Sequence, residues 1–329
     1  MLLHDAIGRT ITSLRVSITD RCNLRCRYCM PDDGIEAIGH AEILRYEEIE
    51  RLIQVALGLG MTKVRITGGE PLVRRGVVDL LDRLGQFEGL RTLTLTTNGI
   101  LLDKFAERLR AANVAYVNIS LDTLDRQKFL ALTQRDELDR VLAGIRAATQ
   151  AGFANVKVNV VSLRGYNDDE VFDFVDFADA YNVNLRFIEY MPFSGNDWQQ
   201  GQFLPSSELK ARVEERYELI PLNGDPSAAA RNYRIDGLRG TIGFISPVSH
   251  RFCGVCNRLR LTADGFLRPC LHGPIEIDVK GPLRRGATDA ELADLFLDAV
   301  HQKPDSHNNF SSPQGESGEK GRAMVRIGG

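Results

Sequence analysis

The sequence predicts an α/β protein, an incomplete (β/α)6 TIM-like barrel followed by a C-terminal extension. Three observations predict it. From Leu14 to Met191 short β-rich runs alternate with stretches of helical periodicity; within those runs polar and apolar residues alternate; and beyond about residue 205 both regularities end. With 43% hydrophobic and 26% charged residues over 329 positions, the chain has apolar material for a core of this size.

Strands are expected near 13–19, 63–67, 91–97, 115–121, 155–162 and 184–190. Amphipathic helices fall between them. In 46–59, Ile49, Leu52, Ile53, Ala56 and Leu57 share one face, and in 168–180 Val171, Phe174, Val175 and Ala178 do the same. Strand–helix alternation implies a parallel sheet with right-handed crossovers. A closed eight-fold barrel needs two more units than the sequence supplies.

A parallel sheet covered on both faces reads as continuous apolar runs, and these strands do not. Arg15, Ser17 and Thr19 alternate with Leu14, Val16 and Ile18; Lys63, Arg65 and Thr67 with Val64 and Ile66; Lys157 and Asn159 with Val156, Val158 and Val160. If the apolar face packs on helices, the polar face lines the lumen and makes a basic, solvated cavity. The alternative is an inner layer that is polar for structural reasons.

After residue 205 a helix near 206–216 is expected, then mixed Gly-containing segments. The stretch 303–321 has one aromatic and no aliphatic residue and reads as a mobile linker leading to the tip Met324-Val325-Arg326-Ile327-Gly328-Gly329. The expected division is 1–204, 205–302 and 303–329. No basic region with an apolar stretch opens the chain and no run of about eighteen apolar residues occurs, so a soluble, cytoplasmic protein is expected. A net charge of −3 gives no general attraction to nucleic acid or membrane; an anionic ligand must meet a local basic cluster.

The six cysteines form two compact groups, Cys22/Cys26/Cys29 and Cys253/Cys256/Cys270. Grouping of this kind in a large chain suggests metal rather than disulfides. The first group lies directly after the first strand, at the carboxyl end where barrel sites assemble. Three thiolates can hold three irons of a four-iron cluster and leave the fourth open to a chelating ligand; the alternative is a zinc ion with His40 or Asp20 as fourth ligand. Gly68-Gly69-Glu70-Pro71 follows the second strand, where glycines permit close approach and Glu70 can accept hydrogen bonds from an amine.

The C-x3-C-x2-C spacing with Tyr28 before the last cysteine, together with Gly68-Gly69-Glu70-Pro71, resembles the radical S-adenosylmethionine superfamily. The resemblance implies a [4Fe-4S] cluster on Cys22, Cys26 and Cys29 whose open iron is chelated by S-adenosylmethionine, with reductive cleavage yielding a 5′-deoxyadenosyl radical. It further implies that Gly68, Gly69 and Glu70 hold the methionine moiety, Tyr28 the adenine and Ser120 the ribose, with Thr96 and Met191 lining the shared pocket.

On spacing alone the second group fits either another open-iron cluster or a zinc site closed by His272 or His250. The surrounding residues point further. Phe252-Cys253-Gly-Val-Cys256-Asn257-Arg258-Leu259-Arg260-Leu261-Thr262, Leu267 to His272, Asp5…Gly8-Arg9, Arg15 to Cys22, Phe187-Ile-Glu-Tyr-Met191-Pro192 and the final Gly328-Gly329 closely resemble the GTP 3′,8-cyclases of molybdenum cofactor biosynthesis. The resemblance implies a second [4Fe-4S] cluster on Cys253, Cys256 and Cys270 that meets the guanine. With the strand pattern, it makes Arg15, Lys63, Arg65, Thr96, Lys157, Arg186, Arg258 and Arg260 candidate contacts for GTP, and it brings Gly328 and Gly329 into the cavity to organise the catalytic arginines Arg258 and Arg260. Expected partners are a reductant such as flavodoxin or ferredoxin, a second copy in a homodimer, and cyclic pyranopterin monophosphate synthase as recipient of the product. For the terminal glycines, a frayed end and a conjugation site are the alternatives.

Overall fold

The computed structural model describes residues 3–30, 34–193, 196, 200–306 and 322–328. Six β/α units run β1 (Ser13–Ser17), α1 (Tyr46–Gly58), β2 (Lys63–Thr67), α2 (Val77–Leu84), β3 (Thr92–Thr97), α3 (Leu102–Ala111), β4 (Val114–Ser120), α4 (Arg126–Thr133), α5 (Leu138–Gln150), β5 (Asn155–Ser162), α6 (Val171–Tyr181) and β6 (Asn184–Glu189). Each expected strand is present to within two residues. β1 stops at Ser17 because the next residues leave the ladder to meet the glycine loop: the carbonyl of Thr19 accepts from Gly69 N at 2.7 Å and that of Arg21 from Glu70 N at 2.8 Å. α6 begins at Val171, later than its periodicity suggests, because the carboxylate of Glu170 is bound by the Thr123 hydroxyl and Leu124 N–H.

The extension continues the same sheet. After α7 (Ser206–Glu214) come β7 (Ile220–Pro221), β8 (Ala230–Arg234), β9 (Thr241–Ile245), β10 (Arg258–Leu261), β11 (Phe266–Arg268), β12 (Ile277–Asp278), α8 (Lys280–Arg284), α9 (Asp289–His301) and, past the undescribed segment, α10 (Met324–Ile327). The strand order is β12-β11-β10-β1-β2-β3-β4-β5-β6-β9-β8-β7. β10 pairs parallel to β1 and β9 parallel to β6, so the extension adds one parallel strand to each edge of the six-fold barrel, and the antiparallel pairs β10–β11 and β8–β9 end the parallel run. The sequence does not announce these edge strands, since no helix alternates with them.

Register sets which side chains share a face. Arg15 lies level with Arg65 and Arg260, Arg65 with Thr94, Thr96 with Asn118, Asn118 with Lys157, and Asn159 with Arg186. Because side chains alternate, the residues between them (Leu14, Val64, Ile66, Leu95, Val117, Val158, Leu185, Phe187) all point outward, where they are buried in one core with the helices. Phe174 of α6 meets Phe187 edge-on with ring centres 6.2 Å apart. The inner face is thus left to polar groups.

Candidate active site

The first cysteine loop is held by main-chain contact with the glycine loop. A Cβ on Gly69 would lie 2.5 Å from the Arg21 carbonyl oxygen, and one on Gly68 2.5 Å from that of Thr19. These two glycines are therefore required by the approach of the segment that runs into Cys22. Glu70 is fully buried, and burial raises its carboxyl to about 7 despite hydrogen bonds that stabilise the charged form. Those bonds come from Leu72 N (2.9 Å), the Thr97 hydroxyl (2.8 Å) and Asn98 N (2.6 Å). Here Glu70 does structural work: it fixes the turn after β3, from which Asn98 Nδ2 reaches Cys22 Sγ at 3.8 Å, while Leu24 N donates to the same sulfur at 3.4 Å.

All six cysteines are free thiols. Burial raises Cys22 to about 11 and Cys29 to about 12, and Cys26 rises through burial, Cys29 and Asp122. Three buried thiols near one another resist ionisation unless positive charge compensates them, and the irons of a cluster supply that charge; N–H donors aimed at Cys22 Sγ are the outer partners such a thiolate takes. A zinc ion fits less well. Asp20 Oδ2 accepts from Ile38 N at 2.6 Å and His40 Nε2 lies 3.4 Å from Arg21, so these two atoms of the candidate fourth ligands have partners other than the cysteines. Tyr28 donates to Asp122 at 2.7 Å, and Asp122 also accepts from Val161 N at 2.8 Å, which fixes the Tyr28 ring beside the cysteines.

Across the lumen the structure brings together Arg15, Lys63, Arg65, Thr96, Ser120, Lys157, Arg186, Arg258 and Arg260 on the inner face. Burial lowers the Arg15 guanidinium, with Arg260, Arg65 and Arg258 adding to the effect; burial lowers Arg260 to about 9 and Arg186 to about 10. Lys157 is pushed down to about 6 by burial and by Arg186, Arg65 and Lys63, although its ammonium lies 3.3 Å from the centre of the Tyr116 ring. So many cations in one place repel each other and call for an anion. Five buried polar atoms on this face, Arg258 Nη2, Arg186 Nε, Thr96 Oγ1, Asn118 Oδ1 and Asn159 Oδ1, have no protein hydrogen-bond partner. Leaving such groups unpaired is costly, and a polar ligand in the lumen would satisfy them.

The C-terminal tip enters the same lumen. Gly328 sits at φ +79°, and a Cβ there would lie 2.7 Å from Thr67 Cγ2 and 3.0 Å from Ser17 Cβ. Arg322, over the Phe266 ring, is held by Asp264 and Glu276 before α10, and Arg260 Nη1 donates to the Gly328 carbonyl at 2.5 Å. Gly329 and residues 307–321 lie outside the described residues. The start of the expected linker is docked, for Lys303 is buried.

In the second group, Cys253 to Val255 form a single 3-10 turn and Cys256 leads extended into β10. Arg258 stacks over the Phe252 ring at 4.7 Å. Although burial opposes ionisation, Arg258 and Lys303 pull the Cys256 thiol down to about 6. His272 stacks on Phe193 with ring centres 4.6 Å apart, and the main chain of Met191 is fixed by Asn196 at 3.0 Å. Tyr116 and Asn118 share the inner face with Ser120 and are missed in the sequence reading; the alternation of Tyr116, Asn118 and Ser120 with Val117 and Ile119 carries the signal, whereas Ser120 was reached through the family resemblance alone.

Residues 16–178 match the Radical SAM superfamily and residues 183–309 the Molybdenum Cofactor Synthesis C family. The chain is 48% identical to the GTP 3′,8-cyclase of Moorella thermoacetica over 99% of its own length and 100% of that protein's. It is also 48% identical to that of Heliobacterium modesticaldum, over 99% of each chain. The chain belongs to the GTP 3′,8-cyclase family. It is a radical S-adenosylmethionine enzyme, acting on GTP in the first step of molybdenum cofactor biosynthesis, and that family uses a [4Fe-4S] cluster with S-adenosylmethionine. The fold agrees: the crystal structure of Streptococcus suis SuiB bound to S-adenosylmethionine superposes with a TM-score of 0.62 at 17% identity, covering 82% of the cyclase and 64% of SuiB. No helix among the described residues is long and apolar enough to cross a membrane.

Proposed function

We propose that this cyclase carries out its reaction in the polar lumen, with S-adenosylmethionine at the cysteine and glycine loops and GTP between Arg15, Arg65, Lys157, Arg186, Arg258 and Arg260. The observation that carries this reading is the inner face itself: a row of mutually repelling buried cations with Arg258 Nη2, Arg186 Nε and Thr96 Oγ1 unpartnered. When bound, the first cluster and S-adenosylmethionine would supply a radical able to take the hydrogen atom from C3′ of GTP; bonding of C3′ to C8 of the guanine then leaves one unpaired electron, and one electron from the reductant with one proton completes 3′,8-cyclo-7,8-dihydroguanosine triphosphate.

The chain's own residues bind, orient and shield. Arginines make charge-assisted, partly bidentate contacts with the triphosphate, stronger in a lumen poor in water. Tyr28, fixed by Asp122, supports the adenine; Ser120 and the neighbouring Asn159 present polar groups to a ribose, and Met191 with Thr96 lines the shared pocket. Gly328 seats Arg260 through its carbonyl, which holds the guanidinium in one orientation and fills the lumen beside β1 and β2. Positioning C3′ against the radical, with water excluded, is the protein's main contribution.

Cys253, Cys256 and Cys270 fit a second [4Fe-4S] cluster beside the guanine, since they are free thiols next to the cations of Arg258 and Lys303. The same reading has a cytoplasmic homodimer that draws electrons from flavodoxin or ferredoxin and passes its product to cyclic pyranopterin monophosphate synthase. Anaerobic protein incubated with S-adenosylmethionine, reductant and GTP tests the residue-level reading: the wild type forms 5′-deoxyadenosine together with the cyclised nucleotide, and Arg65→Ala loses the nucleotide while keeping both clusters' iron. Full cyclisation by Arg65→Ala would remove the lumen from the account.

A further inference from the structure

Two buried cations from opposite ends of the chain, Arg9 and Lys303, meet at the second cysteine group, and neither has a part in the reaction as described so far. Arg9 is 6% exposed and Lys303 5%. The turn that presents Arg9 is built by Asp5 and Gly8: Asp5 Oδ1 accepts from Ile7 N at 3.2 Å and Arg9 N at 2.9 Å, Gly8 N donates to the Asp5 carbonyl at 3.0 Å, and Gly8 takes φ +82°, where a side chain would be strained. Asp5 Oδ2 then grips Arg9 Nε in a buried ion pair. This explains the Asp5…Gly8-Arg9 motif, which sequence alone left without a role.

The far end of Arg9 is spent on main-chain carbonyls. Nη1 donates to Cys253 O at 2.7 Å and Nη2 to Pro304 O at 2.9 Å, so Arg9 ties the first cysteine arm to the segment carrying Lys303. Lys303 Nζ in turn donates to Arg258 O at 2.8 Å, two residues past Cys256, and to Pro269 O at 2.7 Å, directly before Cys270. All three cysteine arms are therefore fastened by two side chains.

The charges differ in how they are balanced. Arg9 has Asp5. Lys303 bonds neutral carbonyls, and the nearby groups able to carry negative charge are the thiols of Cys256 and Cys270. A buried ammonium without a counter-charge is strongly disfavoured, and the carbonyls that hold Lys303 place it where a negatively charged group bound to the three cysteines would supply that counter-charge. The dependence is mutual, since three thiolates holding a cluster leave net negative charge that a nearby cation offsets.

We propose that Arg9 and Lys303 form a cationic frame for the second cysteine site: they are positioning residues that lock its three arms together and, through Lys303, neutralise part of the charge of the group bound there. This rests on the reading that Cys253, Cys256 and Cys270 hold a cluster. On that reading Lys303 also sets how readily the site is reduced, because a buried positive charge favours the more negative, reduced state.

The test uses full-length protein purified anaerobically: wild type, a Cys253→Ala/Cys256→Ala/Cys270→Ala variant, Lys303→Met and Lys303→Arg. Iron per chain and the midpoint potential of each cluster, followed by electron paramagnetic resonance, are measured on all four. Wild type with about eight irons and the cysteine variant with about four establish the second cluster; equal iron in both sinks that reading and, with it, the charge-neutralising role of Lys303. Given two clusters, Lys303→Met is expected to fall towards about four irons, or, where the second cluster is kept, to show a more negative potential for it alone, and Lys303→Arg is expected to restore both. Unchanged iron and potential in Lys303→Met would overturn the proposal. So would Lys303→Arg as deficient as Lys303→Met while the first cluster, the internal control for folding, stays intact.

Discussion

Arg260 on β10 donates to the main-chain carbonyl of Gly328 at 2.5 Å, across 68 residues of sequence. The bond needs Gly328 to lie against Ser17 and Thr67, where a Cβ would stand 2.7 Å from Thr67 Cγ2. Gly328→Ala is therefore expected to unseat the tip and free Arg260. A hydrogen bond to a charged group contributes roughly 1.5–3 kcal/mol, so kcat for cyclisation should fall by about 10- to 100-fold. Iron content should stay near wild type, while the melting temperature should fall modestly, because unseating the tip exposes the buried side chains of Val325 and Ile327. An alanine variant with normal kcat would return the tail to the status of a frayed end.

Gly69 gives a prediction of the opposite kind. Its missing side chain makes room for the Arg21 carbonyl 2.5 Å from the Cβ position, and that carbonyl belongs to the loop entering Cys22. Gly69→Ala pushes on main chain, which cannot rotate away as a side chain could. The expected result is loss of the first cluster's iron with the second retained, read by iron analysis of the variant against the triple replacement of Cys253, Cys256 and Cys270. Two intact clusters in Gly69→Ala would mean that the loop yields without disturbing the cysteines.

Much of this site was legible because it follows from alternation. Once Arg15, Arg65 and Lys157 are seen between apolar neighbours, register leaves them no face but the lumen. The edge strands β9 and β10 were not legible: a short strand without a following helix gives no periodic signal, and its place beside β6 or β1 is decided by pairing over a long separation. Glu70 was legible as a residue but only in part of its task. Its family motif implies a hold on the methionine moiety, and the fold adds a second task that no motif announces: its carboxylate accepts from Leu72 N, Thr97 and Asn98 N. Lys303 was hidden for another reason, standing at the start of a stretch whose composition reads as linker.

From the position of Glu70 follows the behaviour of its amide variant. A carboxylate can accept from three donors, while a glutamine turns one acceptor into a donor facing an N–H. Glu70→Gln should loosen the turn at Asn98 and with it the contact from Asn98 Nδ2 to Cys22 Sγ at 3.8 Å. The expected readout is faster loss of iron from the first cluster under a chelator, with S-adenosylmethionine binding weakened in parallel. Iron release at the wild-type rate would show that Asn98 holds its place without Glu70.

If the triphosphate lies beside Lys157 as proposed, the binding of GTP is expected to depend on pH. In the free protein burial, with Arg186, Arg65 and Lys63, pushes its ammonium down to about 6. Because this value lies below that of an unfolded lysine, the unfolded chain binds more protons between the two, and the free fold gains stability as pH rises from about 6 towards 10.5. A triphosphate beside Lys157 reverses the local field and raises the value again, so binding must take up a proton at any pH between the free and bound values. Affinity for GTP is accordingly expected to fall as pH increases from about 6 to about 8. Calorimetry in buffers of different ionisation heat measures the uptake directly, and Lys157→Met controls for protons released by the phosphates of GTP. The wild type should take up more protons per GTP than Lys157→Met, by an amount that shrinks below pH 6. Equal proton uptake in the two proteins would place the triphosphate away from Lys157, towards the β1, β2 and β10 side of the lumen where Arg15, Arg65 and Arg260 stand level.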